Sequence, residues 1–232
     1  MNVSNLLGIG FYLGGITANQ DANCYIASKT WLTNLNNGWE VAPIYDSLQA
    51  PCNGYKYPMD TNGDTAHQQG INVADNAIGN WVDLGQHAGN IIYLDIEAYN
   101  NNNCNAEDRV IRFVNGWVNE LHSYAFKAGL YSSVCSQPLD DYYGIAYPPD
   151  DVWIAQWNGT WTGSTFNNAG AFDVNTSCIS DNHWHDRRFH QYTHNSTVTR
   201  NGVTLDPVDH DCLRGQLDGL YDYNNTCGWP NG

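Results

Sequence analysis

One short apolar segment constrains the fold more than any other part of the chain. Asn90–Tyr99 is rich in β-branched and aromatic residues and ends where the sequence becomes polar and rich in asparagine. This composition predicts a buried strand, Ile91–Glu97, that carries charged groups at its carboxyl end. Because side chains alternate along a strand, Asp95 and Glu97 should share one face. Such a pair suits glycoside hydrolysis, which needs a proton donor beside an anion, while two solvated acids at a strand end are the alternative.

Strands and helices alternate along the rest of the chain, as apolar periodicity and glycine turns indicate. Strands are predicted at Gly8–Gly15, Glu40–Asp46, Ile91–Glu97, Leu130–Ser133, Val152–Trp157 and Phe189–Thr193. Helices are predicted at Ala27–Asn36, Thr65–Gly85 and Glu107–Lys127. The last part of the chain is predicted to form a strand or loop at Val203–Asp211 and a short helix at Cys212–Leu220. This order implies parallel strands joined by right-handed crossovers. We therefore expect a single domain over residues 1–232 with an α/β fold, a (β/α) TIM-type barrel that is irregular or incomplete with six to eight strands. An open doubly wound sheet is the alternative.

The charge of the chain excludes some partners and suits others. The formal net charge is −15 with only nine Lys and Arg, so nucleic acid and anionic membrane surfaces would be repelled. No apolar run approaches the length of a membrane span. Aromatic residues make up 13% of the chain, with nine Trp and fifteen Tyr, a balance typical of proteins that handle carbohydrate. We expect an uncharged polysaccharide or glycan as the partner.

Cysteines and glycosylation sequons indicate an oxidising compartment. The seven cysteines, none in a CxxC pair, are Cys24, Cys52, Cys104, Cys135, Cys178, Cys212 and Cys227. They predict disulfides, and their odd number leaves a thiol that permits self-association. Sequons for N-glycosylation begin at Asn2, Asn158, Asn175, Asn195 and Asn224. A secreted glycoprotein fits both features, and because no signal peptide is visible we expect a mature or truncated form.

No metal site or cofactor is expected. His183 and His185 are two residues apart and near an acid, a spacing that can share an ion, but Arg187 and Arg188 would repel a cation. A nucleophile elbow, a glycine-rich phosphate loop and a Cys–His pair at useful spacing are all missing from the sequence. Esterase, nucleotide-dependent and thiol-protease activities therefore lack support.

Six segments together resemble one family. They are Phe11–Gly15, Ala42–Tyr45, Ile92–Glu97, Gly129–Ser133, Trp153–Trp157 and His190–Tyr192. In order and spacing they are similar to the strands of glycoside-hydrolase-like domains found in secreted bacterial and fungal proteins. Those domains are related in fold to the lysozymes of glycoside hydrolase family 25. The resemblance extends from Gly10 to about Asp211.

The resemblance implies roles for the acids. Glu97 would be the general acid, and Asp95 would stabilise the developing positive charge or orient the N-acetyl group of the substrate. Asp209 would be the supporting carboxylate, with Asp211 as the second choice. The lysozymes also place an Asp on the first strand, in a Gly-x-Asp sequence, but the first strand here has no acid. Asp46, at the end of the second strand, is the candidate substitute.

Other polar and aromatic residues near the strand ends are candidates for sugar binding. With Asp46, they are Tyr45, Tyr99, Tyr131, Trp157, Gln191 and Tyr192. The sequence thus predicts a secreted glycosidase acting on a cell-wall or extracellular polysaccharide. The alternative is a catalytically inactive barrel that serves as a carbohydrate-binding or extracellular structural glycoprotein, which the missing acid of the first strand favours.

Overall fold

A computed structural model describes residues 8–18, 28–30, 32, 40–135, 139–158, 174–200, 203–217 and 220–221. Its strands are β1 (Gly8–Gly14), β2 (Glu40–Asp46), β3 (Ile91–Ile96), β4 (Lys127–Ser133), β5 (Asp151–Ala155), β6 (Arg187–Arg200), β7 (Val203–Leu217) and β8 (Leu220–Tyr221). The α-helices are α1 (Gly63–Asp83) and α2 (Ala106–Ser123). Short 3₁₀ helices lie at Asn103–Asn105 and Leu139–Tyr142. Most of the helix predicted at Ala27–Asn36 lies outside the described residues.

The sheet follows the chain order from β1 to β8. Strands β1 to β6 are parallel, as predicted, but β7 pairs antiparallel with β6 and β8 antiparallel with β7. The helix predicted at Cys212–Leu220 is wrong, because residues 211–215 pair with residues 187–191 of β6 as a hairpin. Within the described residues no pairing joins β1 to β7 or β8. The α/β class is confirmed, and the parallel part is a six-stranded half-barrel.

Strand alternation separates two apolar clusters. Leu94 and Ile96 of β3 point to the outer face of the sheet and pack against α1 and α2 in the larger cluster. Tyr93 points to the inner face, where it packs with Trp153 of β5 in the smaller cluster. The curl of the sheet brings Trp153 against Gly10 of β1, where a Cβ atom would overlap the indole ring. The inner face is therefore filled below the carboxyl ends of the strands.

The first long helix begins at a side-chain cap. The Asn62 side-chain oxygen accepts hydrogen bonds from the backbone N–H groups of Asp64 and Thr65, both at 3.0 Å. Asn62 itself has extended backbone angles, as an N-cap residue requires. No helix in the described ranges has the length and apolar character that a membrane crossing needs.

Removal of this cap should cost a modest amount of stability. We expect Asn62→Ala to lower the free energy of unfolding by about 1 kcal/mol, because two helical N–H groups lose their acceptor. Asn62→Asp should retain most of the stability, since its carboxylate accepts the same bonds. Chemical denaturation of both variants and the wild type measures the difference. Equal stability of Asn62→Ala and the wild type would show that water satisfies these groups equally well.

Two disulfides join loops at the carboxyl ends of the parallel strands. Cys52, after β2, is bonded to Cys104, after β3, and Cys135, after β4, is bonded to Cys178, after β5. The prediction of disulfides is confirmed. Cys24, Cys227 and the side chain of Cys212 lie outside the described residues, so the self-association prediction is untested.

Two of the five sequons lie on described, exposed asparagines. These are Asn158 and Asn175. Asn2 and Asn224, and the side chain of Asn195, lie outside the described residues. Glycosylation remains a prediction.

Candidate active site at the strand ends

One register row crosses the inner face of the sheet and forms the floor of the candidate site. Asp46 of β2 pairs with Asp95 of β3, which pairs with Tyr131 of β4, Trp153 of β5 and Phe189 of β6 in turn. Adjacent strands are roughly 4.8 Å apart, so the first two carboxyl groups emerge side by side. The row begins with two acids and continues with three aromatic rings. Acids are suited to act on a glycosidic bond, and aromatic rings are suited to bind the sugar next to it.

Asp95 is the most buried acid of this row, with 2% of its surface exposed. Its Oδ1 atom is buried and accepts no hydrogen bond from any described residue. Burial raises the pKa of Asp95 well above its ordinary value, and the charges of Glu97 and Asp46 raise it further. An unpaired carboxylate in this place is costly, so Asp95 favours its protonated form or a proton shared with its neighbours.

Glu97 lies directly beyond the end of β3 and is exposed. Partial desolvation nevertheless raises the pKa of Glu97, while a hydrogen bond from the Ala98 backbone opposes the shift. The Glu97 N–H donates to Oε1 of Gln49 at 2.8 Å. Tyr55 lies nearby, since its hydroxyl donates to the Ala98 carbonyl oxygen, and the charges of Glu97 and Asp95 add to burial in raising its pKa. Glu97 is thus an accessible carboxyl group with a raised pKa, directly beside a buried one.

A second group of side chains links β4, β5 and β6 at the same edge. Gln191 accepts hydrogen bonds from the Tyr131 hydroxyl at 2.9 Å and from the Trp157 indole at 3.0 Å. Its Nε2 atom donates to Asp209 of β7 at 2.6 Å. Trp157 is 59% exposed, and its ring packs on His194 with 4.1 Å between ring centroids. Four of the predicted residues therefore form one connected network with an exposed aromatic face.

Asp211 joins this site from β7, opposite Gln191. Its Oδ1 atom accepts a hydrogen bond from the Trp153 indole at 2.6 Å. Burial raises the pKa of Asp211 to about 7, aided by the charge of Asp209 and opposed by the Trp153 bond. Asp209 is exposed, whereas Asp211 is partly buried. Of the two late acids, Asp211 is therefore the better placed to hold a proton.

Three predicted sugar-binding residues are buried and do not present an exposed ring to a sugar. Tyr45 points to the outer face of β2 and packs on Trp117 of α2, with 6.3 Å between ring centroids. Tyr99 is 7% exposed in the same cluster, and its hydroxyl contacts that of Tyr142. Tyr192 is 2% exposed and packs near His190. Strand alternation explains Tyr45, since its neighbour Asp46 takes the inner face.

Three residues of the site were missed at the level of sequence. They are Tyr12 of β1, Gln49 and Trp153. Phe11 and Leu13 belong to the outer cluster, so Tyr12 takes the inner face, and it contributes to the raised pKa of Tyr131. It follows Gly10 by two residues, the spacing at which the Gly-x-Asp sequence has its acid. Alternation along β1 was the signal that could have identified it.

The histidine-rich segment before β6 has partners of its own. His183 Nδ1 lies 2.9 Å from Asp140, and His185 Nδ1 lies 2.9 Å from the carbonyl oxygen of Asp181. Among the described residues, no three His, Cys, Asp or Glu side chains are grouped so that they could hold a metal ion. A cavity of about 440 Å³ lies by the amino ends of β5 and β6, at the opposite end of the strands, and none of the candidate acids lines it.

Comparison with known proteins identifies the family of the domain and finds the same fold in solved structures. A family model described as Rv2525c-like, glycoside hydrolase-like domain matches residues 2–213. An uncharacterized protein of B. stearothermophilus shares the fold at 18% identity and a TM-score of 0.57, covering 91% of this chain and 86% of that one. The spore cortex lytic enzyme SleM of Clostridium perfringens has the fold at 14% identity and a TM-score of 0.55, covering 93% of this chain and 62% of that one. The catalytic domain of endolysin ply40, from bacteriophage P40 of Listeria monocytogenes, has it at 15% identity and a TM-score of 0.53, covering 92% of this chain and 84% of that one. No curated protein matches the chain in sequence.

Proposed function

Since the chain belongs to the Rv2525c-like, glycoside hydrolase-like domain family, we propose that it is a secreted glycoside hydrolase that cleaves a cell-wall or other extracellular polysaccharide. One observation carries the proposal. Asp46, Asp95 and Glu97 converge at one edge of the sheet, and burial together with mutual repulsion raises the pKa of Asp95. Such a group retains a proton at a pH where an isolated carboxyl group has lost it.

The proposed roles follow from exposure. Glu97 is the general acid, because its exposed carboxyl group is able to approach a leaving glycosidic oxygen. Asp95 lies deeper and shares a proton with its neighbours: in its protonated form it orients the N-acetyl group of the substrate, and when the proton is on Glu97 its carboxylate stabilises positive charge at the anomeric carbon. Asp209 and Asp211 support the opposite side of the site. Trp157 offers its exposed ring to the apolar face of a pyranose.

Peptidoglycan is a reasonable first substrate to test. The autolysin LytC of Streptococcus pneumoniae has been crystallised with a synthetic peptidoglycan ligand, and this chain has the same fold at 15% identity, with a TM-score of 0.51. This chain spans 40% of the length of that autolysin. The deciding experiment is the release of reducing ends from peptidoglycan, chitin and neutral polysaccharides by the purified protein. Release above that of a heat-inactivated sample supports the proposal, and no release from any of them at high protein concentration contradicts it.

The pH dependence of this activity is a separate prediction. We expect kcat/KM to be bell-shaped between pH 4 and 8, and to fall on the alkaline side as the acid loses its proton. Because the pKa of Glu97 is raised, that fall should occur above the usual range of a glutamate, which is near pH 4.3. Activity that rises steadily up to pH 8 would contradict a carboxylic acid as the proton donor.

The first strand favours a second candidate function. Tyr12 stands on the inner face of β1 where the related lysozymes have an acid, so the set of carboxylates differs from theirs. A barrel of this kind would bind a polysaccharide through Trp157 and Tyr131 without cleaving it. Retention of the protein on an insoluble polysaccharide, with no release of reducing ends, would assign this binding role.

A further inference from the structure

Gln49 lies in the loop that follows β2 and is buried, with 2% of its surface exposed. Its backbone is fixed by the loop itself. The Gln49 N–H donates to the carbonyl oxygen of Tyr57 at 2.9 Å, and its own carbonyl oxygen accepts from Met59 at 2.7 Å. The loop therefore sets the position from which the Gln49 side chain extends towards β3.

The carboxamide of Gln49 contacts three groups of the candidate site. Its Oε1 atom accepts from the Glu97 N–H at 2.8 Å, and its Nε2 atom donates to the Asp95 carbonyl oxygen at 2.9 Å. The Nε2 atom also lies 3.4 Å from Oδ1 of Asp46. A backbone N–H only donates and a backbone carbonyl only accepts, so these partners determine the orientation of the amide.

These bonds continue the sheet beyond the point where β2 ends. The pairing of β2 with β3 stops at Asp46 and Asp95. A backbone residue opposite Ile96 in a parallel ladder would accept from residue 97 and donate to residue 95, and the Gln49 carboxamide does both. On the other side, the Ser132 hydroxyl donates to the Ile96 carbonyl oxygen at 2.8 Å. The end of β3 is thus held from both neighbours.

We propose that Gln49 is a positioning residue that holds the Asp-x-Glu end of β3, and with it the Glu97 carboxyl group, in register with Asp95 and Asp46. Its effect on catalysis rests on the function proposed above. An acid displaced by about 1 Å loses much of its effect on a reaction, because proton transfer requires hydrogen-bond geometry. Without the carboxamide, the Glu97 N–H loses its hydrogen bond to Oε1 and the Asp95 carbonyl oxygen loses its hydrogen bond from Nε2.

The proposal predicts a change in the environment of Glu97. Titratable groups of three elements interact with this carboxyl group: Asp95 on β3, Tyr131 on β4 and Tyr55 in the loop, while Asp46 on β2 interacts with Asp95. In Gln49→Met, a side chain of similar length without hydrogen bonds, the end of β3 should move towards water. In Gln49→Glu, a further carboxylate joins the same group. The two variants should shift the titration of Glu97 in opposite directions.

Nuclear magnetic resonance measures this directly. The chain has four glutamates, Glu40, Glu97, Glu107 and Glu120, so glutamate labelled with ¹³C at the carboxyl carbon gives four signals. Glu97→Gln identifies the signal of Glu97 by its loss. We expect the titration midpoint of Glu97 to fall by about half a pH unit or more in Gln49→Met and to rise in Gln49→Glu. If Gln49→Met does not fold, Gln49→Asn, whose amide is one methylene too short to reach both backbone groups, makes the same comparison without an added charge, and an unchanged midpoint in the folded variant overturns the proposal.

Kinetics then test the catalytic consequence. We expect Gln49→Met to lower kcat about 10-fold with little change in KM. Thr17→Val is the matched control. The Thr17 hydroxyl donates a hydrogen bond of 2.7 Å to the Ser47 carbonyl oxygen, at the start of the same loop, and this bond does not involve β3. Equal losses in both variants would show that loop stability alone matters and overturn the proposal. An inactive wild type would contradict the proposed hydrolase, while the titration of Glu97 would still decide the role of Gln49.

Discussion

We expect Glu97→Gln to reduce kcat/KM for reducing-end release by about 10²–10⁴-fold, the usual contribution of a general acid. Glutamine has nearly the size of glutamate and donates a hydrogen bond, but it cannot transfer a proton to the leaving oxygen. The loss should appear in kcat, since the neutral side chain still fits the site. Substrates with a good leaving group, such as aryl glycosides, should suffer less because they need little protonation.

Glu120→Gln is the control for this substitution. Glu120 lies on α2 and faces Asp75 of α1, on the helical layer behind the sheet. The same chemical change at that position should leave kcat/KM within about twofold, as for surface substitutions in general. Full activity of Glu97→Gln would exclude Glu97 as the acid. Asp211, whose pKa is raised to about 7, would then be the next acid to substitute.

The sequence predicted the parallel part of the fold well. β2 was predicted at its observed bounds, and β3 and the two long helices were placed within a few residues. These elements have strong local patterns, alternation or apolar spacing, that tertiary contacts do not override. The end of α2 was predicted at Lys127, but the helix ends at Ser123. Ala125 has left-handed backbone angles, with φ 59°, and β4 begins at Lys127.

The last part of the chain could not be predicted locally. Residues 203–217 form β7 because they pair with β6, and that pairing is a contact between two segments with weak patterns of their own. Residues of the candidate site likewise divide into those that a local pattern predicts and those that depend on a distant contact. The inner position of Asp95 follows from alternation along β3, whereas Gln49 reaches β3 only because its loop folds back against residues 57–59. The spacing of residues in the sequence does not predict this contact between Gln49 and β3.

The two long helices cross at a pair of glycines, which sets how closely the helical layer packs. A Cβ atom on Gly70 of α1 would overlap the Phe113 carbonyl oxygen, and one on Gly116 of α2 would overlap the His67 carbonyl oxygen. Both obstacles are backbone atoms, which cannot turn away as a side chain does. Val73 and Ala77 of α1 and Val114 and Trp117 of α2 are buried in the same core as Leu94 and Ile96 of β3. Separation of the helices would therefore loosen the layer against which β3 packs.

Gly70→Ala should destabilise the protein strongly. We expect a loss of about 3 kcal/mol of unfolding free energy, since the helices must move apart or distort to admit one methyl group. For a chain of this size that loss lowers Tm by about 6–12 °C. Gly79→Ala lies on the exposed side of the same helix, where no other part of the described structure comes within 4 Å of the new Cβ, and it should gain about 0.5–1 kcal/mol from helix propensity. Thermal and urea unfolding of both variants measure the difference in stability. Because alanine is the better helix former at both positions, a destabilised Gly70→Ala beside a stabilised Gly79→Ala gives the free-energy cost of a methyl group at the helix crossing. Equal stability of the two variants would mean that the helices yield to a methyl group at little cost.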